Sequence, residues 1–255
     1  MLAELLPEQA FSLLLVFVRL GSALMLMPGF GESYISPRIR LLIALTVTVV
    51  VQPVLPIGAL PPLPDNAMAL FLLIFGEVFI GFFLGSLSRI LMSALSIGGM
   101  MIATVTGLAN ALTNDPTAAQ QGSIAGSFLS MLALMIIISL DLHHQLLRGV
   151  IESYSLFVPG QPLIIGDFSA MITRVVAKAF LLGFQMASPF IAVALIFNLG
   201  LGLLSRLMPQ MQVFFIAIPL QIVIGMGILM IALPALLGWF IGGFQDVMLP
   251  FAGFR

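Results

Sequence analysis

The hydrophobic positions of this chain fall into seven long segments separated by short stretches of polar and helix-breaking residues. The segments lie at about 9–28, 39–58, 67–88, 90–106, 124–140, 179–204 and 213–245. Each is too long and too apolar for a strand, so all seven are predicted to be α-helices. The connections are marked by glycine, proline and polar residues at Gly29–Arg38, Pro53–Pro64, Gly107–Gly122, Asp141–Asp167 and Arg206–Gln212.

Composition places these helices in a membrane. Of the 255 residues, 61% are hydrophobic and only 7% are charged, against roughly 25% charged in soluble domains. At about 20 apolar residues per crossing, the segments provide six or seven spans. We therefore predict an all-α polytopic membrane protein of helical hairpins, with one membrane domain over residues 1–255, a central loop at 107–122 and no soluble domain. The interval Ala67–Leu112 is equally compatible with two spans or with one long bent hairpin inside an assembly.

One segment indicates that the chain does not act alone. No charged side chain occurs from Leu207 to Gln245, yet the segment contains three prolines, at Pro209, Pro219 and Pro234, and includes glutamines at Gln210, Gln212 and Gln221. Hydrocarbon offers no partner to an amide side chain or to a carbonyl freed by proline, and each unmatched group costs several kcal/mol. These positions require protein neighbours or a wet cavity, which favours a subunit of an intramembrane assembly.

Charge and composition exclude several classes of function. Nine basic and ten acidic residues nearly cancel, so the chain has no broad positive field for nucleic acid. It contains no cysteine, which removes thiolate chemistry. Neither a G-x-S-x-G nor an H-E-x-x-H motif is present, and no acid pair lies within a span. We expect no enzyme activity, no catalytic residues and no cofactor.

Three small-xxx-small pairs predict close helix packing. Gly81 and Gly85, Gly122 and Gly126, and Gly238 and Gly242 each place two missing side chains on one helical face. Because glycine is common in membrane helices, each pair has about an even chance of being background.

Three charged residues lie within hydrophobic segments, at Arg19, Glu77 and Arg89. A charge at a bilayer centre costs roughly 2.5–3.5 kcal/mol on insertion scales, so each requires a partner or water. Glu77 has two interpretations, a proton or ion site of a transporter or one half of a structural charge pair, and the second is favoured.

Both histidines of the chain, His143 and His144, lie beside Asp141, and Glu152 follows in the same connection. A metal site of imidazoles and carboxylates can be imagined here. Adjacent histidines point in different directions on a helix, however, and no i, i+4 ligand spacing is present. We therefore expect an ordinary interfacial pair and no metal site.

The most specific pattern lies between Pro189 and Leu220. It combines Asn198, Gly202, Arg206, Pro209, Gln210 and Pro219 at fixed spacing, and is called the signature region below. This region resembles the family of the flagellar biosynthetic protein FliR and its counterparts in type III secretion injectisomes. The resemblance continues in Pro28–Arg40 and in Gly107-Leu108 followed by Asp115-Pro116, and it covers essentially the whole chain.

The resemblance implies a function in protein export. Members of this family are subunits of the flagellar type III export gate, a pore in the bacterial inner membrane and flagellar basal body through which unfolded flagellar proteins leave the cytoplasm. One such subunit joins several copies of the P and Q subunits, close to the B and A subunits. An injectisome gate of the same family is the alternative, and a secondary transporter for small solutes is a more remote one.

The resemblance also assigns the central loop as a plug that closes the pore. The loop residues concerned are Gly107, Leu108, Asn110, Leu112, Thr113, Asp115 and Pro116. From composition alone, a plain external loop is an equally good interpretation, since Asn, Asp and Pro favour turns anywhere. This chain departs from the family pattern, because Asn110 and Thr113 stand where aromatic residues are expected; Leu108 and Leu112 would then supply the apolar contacts.

Overall fold

The computed structural model describes residues 2–55, 60–108, 123–162, 165–207 and 213–248, with side chains placed except at 2–6, 165 and 213–216. This part of the chain is helical and contains no strand. Its α-helices are α1 (Leu2–Leu24), α2 (Pro37–Val51), α3 (Ala67–Val105), α4 (Ile124–Ser139), α5 (Leu142–Leu156), α6 (Ile165–Leu207) and α7 (Val213–Met248), and a short 3-10 helix follows α2 at Gln52–Val54. The predicted all-α fold class is confirmed.

The helices that qualify as membrane spans are fewer than the six or seven crossings that the segments allowed. Among the described residues, four helical stretches are long and apolar enough, namely α2 together with the 3-10 helix, α3, α6 and α7, and α4 with α5 forms a fifth if this pair, bent by 73°, is one broken span. The segments 67–88 and 90–106 are one continuous helix, because Arg89 interrupts the apolar run without breaking the backbone.

Three helices are longer than a bilayer core is thick. α3, α6 and α7 contain 39, 43 and 36 residues. At 1.5 Å per residue these helices measure about 58, 64 and 54 Å, against about 30 Å of hydrocarbon. Even at a tilt of about 40°, the upper end of the usual range, each would still extend about 40 Å or more along the membrane normal. Part of each helix therefore lies outside the hydrocarbon of a flat bilayer.

Helix α5 was missed by the sequence analysis, which predicted a connection over Asp141–Asp167. Its polar residues, among them His143, Gln145 and Arg148, are interleaved with residues buried at helical spacing, which are Leu142, Leu146, Gly149, Val150, Ser153 and Tyr154. A search for long apolar runs does not detect such an amphipathic helix, which shows its pattern only at the 3.6-residue period.

The chain divides into two compact units. Unit 1 contains Met1–Ile90, Ile137–Val175 and Phe244–Arg255, and unit 2 contains Leu91–Ile136 and Val176–Gly243. In unit 1, α1 is the central helix, with Leu15, Val16 and Leu20 fully buried. In unit 2 the buried side chains come from α3, α4, α6 and α7, and include Leu95, Leu129, Phe190 and Phe240. The prediction of one domain over residues 1–255 stays a prediction.

Glycines set how closely the helices approach within each unit. In unit 1, a Cβ atom at Gly85 would lie 2.6 Å from the carbonyl oxygen of Ala23, and one at Gly81 would collide with the carbonyl of Arg19. The predicted Gly81–Gly85 packing face is thus confirmed against α1. Both residues have no side chain where another helix backbone needs the space.

The other two predicted glycine pairs have different outcomes. In unit 2, Gly126 of α4 meets Gly99 of α3 so closely that a Cβ atom at Gly99 would overlap the Gly126 backbone; Gly122 lies outside the described residues. Gly238 and Gly242 have no atom within 4 Å of their Cβ positions in the described part of the chain. The Gly238–Gly242 pair therefore packs no helix of this chain there.

We expect Gly99→Ala to destabilise the protein, because the added methyl group meets backbone atoms of Gly126 that cannot rotate away. Overpacking of this kind costs about 1–3 kcal/mol. Thermal unfolding of the purified chain in detergent should show a lower midpoint. The matched control is Gly227→Ala on α7, where the Cβ position is open and alanine favours the helix. Equal unfolding temperatures for the two variants would contradict the close contact.

Candidate functional site

The centre of unit 1 is a buried arginine. Arg19 lies in the C-terminal part of α1 and is 0% exposed, although its neighbours along the helix are almost all apolar. Its guanidinium makes a two-pronged contact with Glu77 of α3, which is 1% exposed. The Arg19 Nε atom donates to Glu77 Oε2 at 2.6 Å, and Nη2 donates to Oε1 at 2.9 Å. Two of the three predicted intramembrane charges therefore form one ion pair.

The remaining donors of Arg19 reach the end of α5. Nη1 donates to Ser153 Oγ at 3.2 Å, and Nη2 also donates to the carbonyl oxygen of Phe157 at 2.9 Å. The Tyr154 ring lies 3.9 Å from the guanidinium carbon, a distance that permits a cation–π interaction. One side chain thus ties α1, α3 and α5 together, and we call Arg19, Glu77, Ser153, Tyr154 and Phe157 the arginine cluster.

This geometry compensates a charge that would otherwise be too costly to bury. Two desolvated ions are tolerated only when they face each other and their other donors are bonded, and the arginine cluster meets both conditions. Both carboxylate oxygens of Glu77 accept hydrogen bonds from the same guanidinium. The arrangement fits a structural charge pair more closely than a proton site, which needs a carboxylate exchanging with water.

Aromatic rings enclose the same region. Phe168 of α6 packs edge-on against Phe83 of α3, with ring centroids 4.5 Å apart, and stacks on Phe157 at 5.1 Å. A half-open pocket of about 620 Å³ lies alongside, lined mainly by apolar residues of α3 and of the segment 158–162, and Glu77 contributes to its wall. Among the described residues that line the pocket, Glu77 is the one charged group, and the others are mainly apolar.

The third predicted intramembrane charge has a different environment. Arg89 lies within α3, but its side chain is 50% exposed and its Nη1 atom meets Glu32 Oε1 at 3.3 Å. An exposed pair of this kind contributes about 0–1 kcal/mol. Arg89 is thus a surface residue of the isolated chain.

Hydrogen bonds connect the residues at both ends of the central loop to helices of unit 2. At the first end, Gln221 Nε2 of α7 donates to the carbonyl oxygen of Val105, the last residue of α3, at 2.5 Å. At the second end, the Ser123 hydroxyl donates to the Gly99 carbonyl at 2.8 Å and accepts from the Gly126 amide at 2.9 Å. Gly107 has φ of 76°, in the left-handed region where glycine is favoured.

Most predicted plug residues lie beyond this description. Gly107 and Leu108 are described, and Leu108 is partly exposed. Asn110, Leu112, Thr113, Asp115 and Pro116 lie outside the described residues. The hydrogen bonds at Val105 and Ser123 fix the positions of the described residues on either side of the loop.

The signature region is largely exposed in the isolated chain. Asn198, Gly202 and Arg206 lie on the last turns of α6 and are exposed, and so is Pro219 inside α7; Pro209 and Gln210 lie outside the described residues. Large apolar side chains around them are also exposed, namely Leu195, Ile196, Leu199, Leu203, Leu207, Val223, Met230 and Ile231. Gly202 has no atom within 4 Å of its Cβ position in the described part of the chain. Phe190, Ala194 and Ala217 of this region are buried, whereas the residues of the family pattern that the structure describes stay at the surface.

Comparison with known proteins decides the family. The model of a family described as bacterial export proteins, family 1, matches residues 10–247.

The chain belongs to this export family. Proteins named flagellar biosynthetic protein FliR are among its relatives. The one from Caulobacter vibrioides is 35% identical over 206 residues, covering 81% of this chain and 82% of that protein. Those from Aquifex aeolicus and Bacillus subtilis are 32% and 29% identical, and the matches cover 81% and 79% of this chain and 79% and 78% of theirs.

Membership of the export family confirms the resemblance carried by the signature region. It agrees with the helices, which make the chain a multi-pass membrane protein. The sequence identified two members of the arginine cluster, the charged residues Arg19 and Glu77. It did not predict α5, which carries Ser153 and Tyr154 and is followed by Phe157.

We expect the arginine cluster to tolerate removal of both charges better than removal of one. Arg19→Met or Glu77→Met leaves the other charge buried and unpaired, which costs about 3–5 kcal/mol. The double variant restores a neutral core and should regain most of the thermal stability measured in detergent. The matched control is Arg89→Met, which breaks an exposed pair and should cost less than about 1 kcal/mol. A double variant less stable than either single variant would rule out this account.

Proposed function

We propose that this protein is a subunit of the flagellar type III protein export gate in the bacterial inner membrane. It would be required for export of flagellar proteins and for assembly of the flagellum. The observation that carries the proposal is the export-family match over residues 10–247, together with relatives named flagellar biosynthetic protein at similar length. The long apolar helices agree with a place in a membrane.

Its partners would be the P and Q gate subunits, with the B and A subunits nearby. The exposed signature region supports an assembly of this kind. Leu199, Leu203 and Leu207 follow one another at helical spacing and are 66–77% exposed. Lipid alone satisfies these leucines, but it gives no partner to the exposed amide of Asn198 beside them. A mixed face of leucine, glycine and amide groups suits close contact with another helix.

The exported proteins would pass as unfolded chains through a pore that this subunit helps to line. A closed pore has to exclude ions, and a loop over an apolar constriction does this by dewetting. We assign this role to the central loop at 107–122. Support comes from its ends, where Gln221 and Ser123 hold the two helices from which the loop emerges.

The protein would act by shape and by selective closure, without chemistry on its cargo. The Arg19 guanidinium nitrogens and both carboxylate oxygens of Glu77 are hydrogen-bonded, whereas the buried Tyr154 hydroxyl has no hydrogen-bond partner among the described residues. Such a cluster suits a rigid anchor for α1, α3 and α5. A gate subunit needs that anchor, because its mobile parts have to move against a fixed frame.

The tagged chain should co-purify from membranes with the P and Q subunits, and Arg206→Glu should lower the yield of that complex several-fold. Arg206 lies in the last turn of α6, where a cation favours the helix end and is available to a carboxylate of a neighbour. The control is Arg206→Lys, which keeps the charge and should keep the yield. The measurement is the amount of P and Q recovered per tagged chain.

A stable homo-oligomer that binds a small solute and recovers neither P nor Q would overturn the proposal in favour of a transporter. Unchanged recovery with Arg206→Glu would remove only the role of that side chain. The two results are therefore distinguishable.

Deletion of residues 109–119 should make the assembled gate leak small ions without preventing assembly, because the helix contacts of Gln221 and Ser123 remain. The measurement is ion conductance of the purified complex in planar bilayers. The matched control replaces the same residues by glycine and serine, which keeps loop length and removes apolar contacts. Background conductance in an intact deleted complex would show that the loop is not the seal.

A further inference from the structure

The break between α4 and α5 brings together the three residues of this chain best suited to bind a metal ion. Asp141 lies in the break, and His143 and His144 lie in the first turn of α5. One potential ligand atom from each residue lies within 4.8 Å of the other two. Glu152, considered with them from the sequence, is not in this group. We propose that Asp141, His143 and His144 form a binding site for a divalent ion of the zinc type.

The expectation that adjacent histidines diverge is wrong at this position. The ring centroids of His143 and His144 lie 4.1 Å apart, with the rings inclined by 37°. The two imidazoles therefore share one side of the helix start. Asp141 adopts φ of 56°, and among the described residues it is the sole non-glycine residue with a positive φ. A positive φ is energetically unfavourable for a non-glycine residue, and here it occurs at the residue that supplies the carboxylate.

One ligand-to-ligand distance in the cluster matches the geometry of zinc coordination. Zinc binds histidine nitrogen and carboxylate oxygen at about 2.0–2.2 Å, so two ligands of a tetrahedral site lie about 3.3–3.5 Å apart. The distance between His144 Nδ1 and Asp141 Oδ1 is 3.3 Å. His143 Nδ1 is buried and has no hydrogen-bond partner among the described residues, so one imidazole nitrogen is unused.

The ligand set selects the class of ion. Two imidazoles and one carboxylate suit zinc, cobalt, nickel or copper, whereas magnesium and calcium prefer oxygen ligands. Three protein ligands leave a fourth position for water or for a side chain of a partner. The side chains of Asp141 and His144 are 77% and 69% exposed, so other side chains of the described residues leave both ligands open to an ion. The partial positive charge at the start of α5 opposes the cation, which points to a reversible site.

A bound ion would stiffen the break. Helices α4 and α5 are bent by 73° with respect to each other, and Asp141 is one of the two residues between them. Coordination ties this residue to the first turn of α5, so the backbone at the bend loses freedom. The site would act on the backbone at the break and not on a substrate.

The chain itself provides a clean test, because it has no cysteine and no histidine besides these two. The full chain is purified from membranes with its bound partners, on a tag free of histidine, stripped with a chelator and equilibrated with zinc. After desalting, zinc is counted by mass spectrometry for wild type, His144→Gln, Asp141→Asn and the double variant His143→Gln/His144→Gln. The control is Glu152→Gln, an acidic residue of the same helix outside the site.

Wild type and the control should retain one zinc ion per chain more than the double variant. Loss of one ligand should weaken zinc binding at least tenfold in His144→Gln and in Asp141→Asn. Both altered side chains are exposed, so these two variants should still assemble. Equal zinc content and equal affinity in wild type and in His144→Gln would overturn the proposal and leave His144 and Asp141 as a hydrogen-bonded pair only.

Discussion

The structure of unit 1 depends on how one buried positive charge is neutralised. Arg19 lies in an otherwise apolar helix, where an unpaired guanidinium would cost more than the packing around it gains. Its compensation comes from three places in the chain, a carboxylate on α3, a hydroxyl on α5 and the carbonyl of Phe157. Because these groups are 58 to 138 residues away from Arg19 along the chain, satisfying the charge fixes the tertiary arrangement of the helices.

Close approach of backbones is what makes this compensation geometrically possible. α1 and α3 meet where Gly81 and Gly85 have no side chain, which brings Glu77, one turn before Gly81, within reach of Arg19. The same device recurs in unit 2, where Gly99 and Gly126 bring α3 and α4 into contact. The ion pair and the glycine contacts therefore both contribute to the packing of these long apolar helices.

The signature region in unit 2 differs from the arginine cluster in that most of its side chains are exposed. Around the signature region, α6 and α7 expose leucine, isoleucine, valine and methionine together with proline, glycine and an asparagine. A lipid-facing helix needs only the apolar residues. The polar and proline positions find no partner in lipid, which agrees with the proposed role as one subunit among several.

The sequence by itself determined the all-helical membrane fold, the family and the existence of costly charges, because apolar length, composition and spaced motifs are local properties. It did not reveal that residues 67–105 form one helix, because Arg89 interrupts the apolar run. It also did not reveal α5, because an amphipathic helix contains no long apolar run. Only the tertiary structure decided that Arg19 pairs with Glu77 while Arg89 stays exposed, and that two adjacent histidines face the same way as Asp141. These choices depend on which helix faces are brought together, and that is set by close packing between segments distant in the chain.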